Sequence, residues 1–198
     1  MFNIATKAPP EAVTVNGGVY SIHTDFRIWI EIFDVFMFRS DDADALLECV
    51  KMAFCEPDKV MAEQNPKDVL DAMCEFLKGY PKETYDDQPD FSPKIDEDMS
   101  KERDYDFKYD LNWIVLAIRN QSGIDLSYRC EHFHWWLFLL EFESLEDHHY
   151  ISALRRVRSY DGDDKEKLRV KQMYALPVRY TAEERRQLEE FNNLFYNS

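Results

Sequence analysis

The sequence predicts a mainly α-helical protein, a helical bundle of about eight helices with a small N-terminal β-hairpin. Apolar residues recur at three- and four-residue spacing along most of the chain, as on the buried side of a helix. Helix-capping residues, glycines and prolines stand between these segments. The 198 residues are 45% hydrophobic and 15% aromatic, which is enough for a packed core. Length favours one domain over residues 1–198.

Residues 12–22, AVTVNGGVYSI, predict the hairpin. Two β-type runs flank Asn16-Gly17-Gly18, which is a favoured turn sequence. An isolated two-stranded ribbon is only marginally stable, so we expect this one to pack on the helices that follow.

The first half predicts three helices, over about 25–39, 41–54 and 65–77. The first is apolar nearly all round, because Trp29 and Phe33 lie on one side and Ile28, Ile32 and Phe36 on the other. Such a helix is central or is covered by a partner. The third begins at Asn65-Pro66 and ends at Gly79.

The second half predicts five helices, over about 106–122, 128–144, 147–159, 163–176 and 182–195. The first of them has a clear apolar stripe. Thr181 and Glu184 form a capping box before the C-terminal helix. The stripe residues are Phe107, Leu111, Ile114, Val115 and Ile118.

Residues 81–104 hold three prolines and most of the acidic excess, and predict an acidic mobile loop. This loop could separate two lobes, 1–80 and 105–198. We favour one domain with a long insertion, because the wide apolar faces of the first half need a cover.

The formal net charge of −15 argues against non-specific DNA binding and against an anionic membrane surface. No apolar run of about 18 residues and no signal peptide occur, so we expect the host cytoplasm as the location. Cys49, Cys74 and Cys130 fall in predicted helices and are expected to be buried, reduced thiols.

The segment HFHWWLFLLEF and the first helix supply the candidate partner-binding residues. Consecutive helical residues point in different directions, so one helix face cannot bury them all. The segment is therefore either a central helix packed on every side or a partner-binding aromatic surface. The candidates are Trp29, Phe33, Phe36, Phe133, Trp135, Trp136, Phe138 and Phe142.

Catalytic and metal sites find little support. Cys130 and His134 have helical ligand spacing, but a second pair is absent. Asp106 and Asp110, one turn apart at a helix start, indicate capping more than acid/base chemistry or metal binding. Phosphate-loop, dinucleotide and nucleophile-elbow motifs do not occur. We therefore predict no enzyme, no cofactor, no metal and no small-molecule substrate.

The only basic stretch lies between residues 155 and 171, and residues 155–186 carry a net charge of +4. Its side chains are expected to pair with nearby acids, or to contact an acidic partner or this chain's own residues 83–106. Nucleic acid is less favoured, because few aromatics are interleaved. The residues are Arg155, Arg156, Arg158, Lys165, Lys167, Arg169 and Lys171.

Three stretches, DFRIWIEIF at 25–33, YDFKYDLNWIVLAI…GIDL at 105–126 and HFHWWLFLLEFESL at 132–145, resemble a known family. ISALRRVR at 151–158 and KEKLRVKQMYAL at 165–176 extend the match. The chain is similar, from about residue 10 to 178, to the bacteriophage gene-product-fifteen (Gp15) family of Gram-positive siphophages and prophages.

This resemblance implies a protein of tail morphogenesis, encoded just before the tape-measure gene. It suggests a chaperone that binds the helical tape-measure protein or another tail protein, with homo-oligomers possible. Two alternatives stay open: a tail or head–tail completion protein retained in the virion, and a phage factor that binds a host defence protein.

Overall fold

The computed structural model describes residues 6–80 and 103–196. Within these residues the chain forms nine helices and one antiparallel two-stranded sheet, which confirms the mainly α-helical prediction. Residues 81–102 of the predicted acidic loop lie outside the described residues. The elements are β1 Ala12–Val15, β2 Gly18–Ser21, α1 Phe26–Phe38, α2 Ala43–Ala53, α3 Pro57–Glu63, α4 Pro66–Leu77, α5 Phe107–Ser122, α6 Trp135–Glu143, α7 Tyr150–Arg158, α8 Lys165–Met173 and α9 Ala182–Tyr196.

The predicted hairpin is present and packs against α4. Asn16 and Gly17 form its turn with φ of 47° and 85°, and both angles are positive as a type I′ turn requires. The side-chain amide of Asn16 donates a 2.8 Å hydrogen bond to the carboxylate of Asp68 in α4. The Tyr20 hydroxyl donates to Glu63 of α3 at 2.9 Å. These contacts hold the ribbon in place where it would be marginal alone.

Helices α1 and α6 begin side by side, which joins the two halves of the chain. The Phe26 amide donates to the Phe133 carbonyl at 2.9 Å, and the Trp135 amide donates to the Thr24 carbonyl at 2.7 Å. The α1 N-cap Asp25 also accepts from the Phe133 amide at 3.2 Å. One hydrophobic core therefore draws buried side chains from both sides of residues 81–102.

The two adjacent tryptophans of α6 close the end of α4. The last carbonyls of a helix lack intrahelical partners. Here the indole Nε1 atoms of Trp135 and Trp136 donate to the carbonyls of Leu77 and Phe76, each at 3.0 Å. Gly79 follows with a φ of 89°, and a Cβ there would lie 2.6 Å from Leu139. Glycine is required both for the left-handed turn and for this close approach.

The structure corrects three details of the sequence prediction. Helix α3 was not predicted, because seven residues are too few for a repeated apolar stripe. The helix predicted over 128–144 begins only at Trp135, because His134 is extended and caps it. Of the cysteines expected to be buried, Cys49 is, whereas Cys74 and Cys130 are half-buried.

Candidate functional site

The aromatic candidates of the sequence divide into a buried group and a half-buried group. Phe26 stacks on Phe138 with ring centroids 4.8 Å apart, and Phe107 lies 5.7 Å from Phe142. The buried candidates are Trp29, Trp135, Trp136, Phe138 and Phe142.

These five side chains belong to the core and are at most 9% exposed. The cover that the wide apolar faces required comes from the chain's own second half. Phe33, Phe36 and Phe133 are half-buried at the edge of the core. For these three, contact with a partner stays a prediction.

Asp106 and Asp110 lie in a buried network of arginines and carboxylates. Asp106 caps α5 by accepting from the Lys108 amide at 2.8 Å, as the capping interpretation predicted. The guanidinium of Arg158 donates to both oxygens of Asp110, at 2.7 and 3.2 Å. Asp106 pairs with Arg103 and with Arg179. Because both carboxylates already face arginines, neither is placed as a free acid or base.

Arg179 links this network to α1. It pairs with Asp34 at 2.6 Å and lies 3.8 Å from the centroid of the Phe38 ring. Burial lowers the pKa of Arg179, but the facing carboxylates of Asp34 and Asp106 raise it, and their effect prevails. Arg185 also reaches the end of α1, because it donates to the Phe38 carbonyl at 2.9 Å.

The first two arginines of the basic stretch form ion pairs with acidic residues of the same chain. Arg155 pairs with Asp104 at 2.8 Å, inside the acidic segment 83–106. Arg156 pairs with Asp147 at 3.1 Å. Pairing with nearby acids and with this chain's own acidic segment, both anticipated from the sequence, therefore account for these arginines.

A cleft of about 410 Å³ separates the end of α1 from α8 and the segment that follows it. Arg103, Arg158 and Arg179 line it together with apolar side chains. All three arginines already face the carboxylates described above. The cleft thus offers no unpaired arginine, among the described residues, to an anionic ligand.

The histidines and cysteines do not converge on a metal. Within residues 6–80 and 103–196, no group of three or more histidine, cysteine or acidic side chains is placed to hold an ion. His134 accepts from the Trp136 amide through Nδ1 and contacts the Pro10 carbonyl through Nε2, each at 3.0 Å. Burial raises the pKa of Cys49 and of Cys74 to about 11, so both thiols stay protonated.

A group of exposed apolar side chains lies on α5 and α7, and we call it the α5–α7 patch. Tyr109, Trp113 and Leu116 of α5 are 42%, 44% and 45% exposed, and Tyr150 of α7 is 49% exposed. The rings of Trp113 and Tyr150 meet edge to face, 4.7 Å between centroids. The α5–α7 patch is the candidate partner-binding surface.

Sequence reasoning missed this patch although a signal was present. Tyr109, Trp113 and Leu116 are spaced four and three residues apart, as on one face of a helix. They form a second apolar stripe on the side of α5 opposite the predicted core stripe, whose Phe107, Ile114 and Ile118 are buried. Because the core stripe satisfied the helix pattern, the second stripe was not separated from it.

Comparisons with known proteins agree with the resemblance found in the sequence. The model of the family described as Bacteriophage Gp15 protein matches residues 7–181. No curated protein and no solved structure gives a significant match. None of the described helices is long and apolar enough to cross a membrane. The match covers most of the chain, which therefore belongs to the Bacteriophage Gp15 protein family, a family of phage structural or assembly proteins.

Proposed function

We propose that this protein is a chaperone of phage tail assembly, which binds the helical tape-measure protein in the host cytoplasm before the tail tube covers it. The observation that carries the proposal is the α5–α7 patch on a chain of this family. Four large apolar side chains remain exposed there although the core is filled. Exposed apolar patches on soluble domains mark interaction sites.

The physical demands of the task fit the properties of the chain. A tape measure is a long helix whose apolar stripe needs temporary cover, and helix recognition uses apolar anchors in a shallow groove. A small patch gives modest affinity, and many copies along one partner supply avidity. The net charge of −15 would keep the coated partner soluble.

The test is co-expression of this chain with the tape-measure protein of the same phage. We expect a soluble complex that co-purifies, with several copies of this chain for each tape measure. Trp113→Ala should weaken co-purification, whereas Tyr128→Ala should not, because Tyr128 is 85% exposed and lies outside the patch. An insoluble tape measure that never co-purifies with the wild type would contradict the proposal.

Mass spectrometry of purified virions separates a chaperone from a structural protein. A chaperone leaves when the tube polymerises, so we expect this chain to be absent from finished particles. Its presence at stoichiometric amounts would replace the chaperone proposal with a structural role in the tail.

A further inference from the structure

The exposed face of α5 carries no carboxylate, although the net charge of the chain is −15. The only carboxylate of α5 is Asp110, which is buried against Arg158. The exposed charges of α5 are the basic side chains of Lys108 and Arg119. Neither forms a salt bridge within 4 Å of a described carboxylate. Asp125 is nevertheless near Arg119: the pKa of its carboxyl is lowered by the hydrogen bond from the Ser127 amide and also by the charge of Arg119. On a chain of net charge −15, the exposed charges of α5 itself are thus all basic.

Helical geometry places these charges on one border of the α5–α7 patch. At about 100° per residue, Lys108, Asn112 and Arg119 fall within about 40° of one another. Tyr109, Leu116 and Trp113 follow on the side towards Tyr150. The stripe therefore has a basic border on one side and α7 on the other. On the α7 side, Asp147 pairs with Arg156 at 3.1 Å, and Glu146 lies 3.2 Å from the His148 ring, an ion pair only when that ring is protonated.

The area and the charges of the patch argue against a second copy as its occupant. Large apolar side chains of this size have roughly 150–250 Å² of surface each, so the four exposed fractions amount to roughly 270–450 Å². A stable dimer buries about 800 Å² on each partner. If α5 packed antiparallel against α5 of a second copy, about a two-fold axis perpendicular to the helices, Lys108 and Arg119 would face like charges.

We infer that the α5–α7 patch takes an amphipathic helix whose apolar stripe is bordered on one side by carboxylates, which pair with Lys108 and Arg119. A single helix needs only a narrow apolar contact, and its anchors recur at the spacing of Tyr109, Trp113 and Leu116. Pairing on one border fixes the face that the partner presents. The inference rests on the proposed function only for the protein that supplies the helix.

The test uses the full chain and two synthetic helical peptides with the same leucine stripe, one bordered by glutamates and one by lysines. Binding is measured by calorimetry at about 0.15 M salt, where charges beyond about 8 Å are largely screened. We expect the glutamate peptide to bind about threefold to tenfold more tightly, since two exposed ion pairs contribute modestly. Without a local site, a chain of this charge would prefer the lysine peptide.

Substitutions test whether Lys108 and Arg119 cause the preference for the glutamate peptide. Lys108→Glu with Arg119→Glu should reverse the preference, and Leu116→Asp should abolish binding of both peptides. The matched control is Lys165→Glu with Arg169→Glu, which makes the same charge change on exposed positions of α8 and should leave the preference intact. Circular dichroism checks that each variant is folded. Equal binding of the two peptides, or a preference unchanged by the α5 reversal, overturns the inference.

The tape-measure protein separates this inference from the proposed function. If the tape measure fails to co-purify while the glutamate peptide binds selectively, the proposed chaperone function is wrong, whereas the inferred helix-binding site on α5 and α7 is supported. If the tape measure co-purifies equally with the wild type and with the folded α5 double variant, the function stands and the assignment of this surface is wrong.

Discussion

Asp110 and Arg158 form the most buried ion pair described in the chain, with side-chain exposures of 3% and 9%. Burying two charges is costly, and their attraction together with further hydrogen bonds offsets that cost. Arg158 also donates to the Tyr174 carbonyl at 2.8 Å, so it connects α5, α7 and the end of α8. Asp110 therefore takes part in a contact that joins three helices.

Removing one partner of this buried ion pair should destabilise the protein far more than removing one partner of an exposed ion pair. We expect Asp110→Ala to lower the free energy of unfolding by about 3–5 kcal/mol, because it leaves the Arg158 charge buried without a carboxylate. Urea denaturation measures the change. Glu48→Ala is the control, since its pair with Lys51 is exposed and contributes at most about 1 kcal/mol. Similar losses in the two variants would contradict the prediction.

His134, the N-cap residue of α6, should make the stability of the protein depend on pH. Burial lowers its pKa, although the hydrogen bond to the Pro10 carbonyl opposes this shift. The unfolded histidine titrates near 6.5, so the folded state resists protonation that the unfolded state accepts. Stability from the neutral ring is complete above about pH 6.5 and is lost as the pH falls below it. Protonation of Nδ1 would also break the cap on the Trp136 amide.

We therefore expect the free energy of unfolding of the wild type to fall more between about pH 7.5 and 5.5 than that of His134→Asn. Asparagine is the suitable replacement, because it can still cap the helix and does not titrate. Denaturation at the two pH values measures the difference. The same pH dependence in both proteins would show that His134 does not contribute.

Among the elements, α8 is weakly anchored to the rest of the described chain. None of its nine residues is buried, and Met173 is 71% exposed. Isolated helices shorter than about 12–15 residues are marginal in water. Its N-cap Asp164 accepts from the amides of Glu166 and Lys167, which satisfies two of the free donors at its start.

Hydrogen exchange should reveal this difference between elements. We expect the amides of α8 to exchange much faster than those of α6, whose tryptophans and phenylalanines lie in the core. Exchange measured by mass spectrometry resolves the two peptides, and Asp164→Ala should speed exchange in α8 further. Protection of α8 equal to that of α6 would mean that another segment covers it.

At the scale of the whole molecule, α9 lies outside the part of the chain that matches the family. The match ends at residue 181. Among residues 182–188 and 190, whose side chains are described, none is buried. The guanidinium of Arg185 donates hydrogen bonds from α9 to Asp41 and to the Phe38 carbonyl. Exposed ion pairs of this kind contribute little to stability.

Deleting residues 182–198 should therefore leave a folded protein. We expect cooperative thermal unfolding with a midpoint only a few degrees lower, as a loss of about 1 kcal/mol would give. Arg185→Ala in the full chain is the matched variant and should account for part of the shift. A truncated chain that aggregates or melts without cooperativity would show that α9 belongs to the core.

Local patterns were sufficient for most elements but not for the site. The hairpin turn, the N-caps of α1, α4 and α5, and the Gly79 and Gly123 ends are properties of a few adjacent residues, so the sequence states them directly. Helix α3 and the start of α6 escaped prediction. The first is too short for a stripe, and the residues before the second bond to the start of α1, far away in the sequence.

The sequence by itself determined the fold class, the family and the presence of more aromatic side chains than one helix face can hide. Only the tertiary structure decided which of them are covered. Burial depends on distant segments. The helices α1 and α5 and the end of α4 pack against α6, whereas Trp113 meets only the edge of Tyr150 among the described rings and stays 44% exposed. A one-dimensional pattern records that a side chain is apolar, but the solvent that it loses depends on what folds against it.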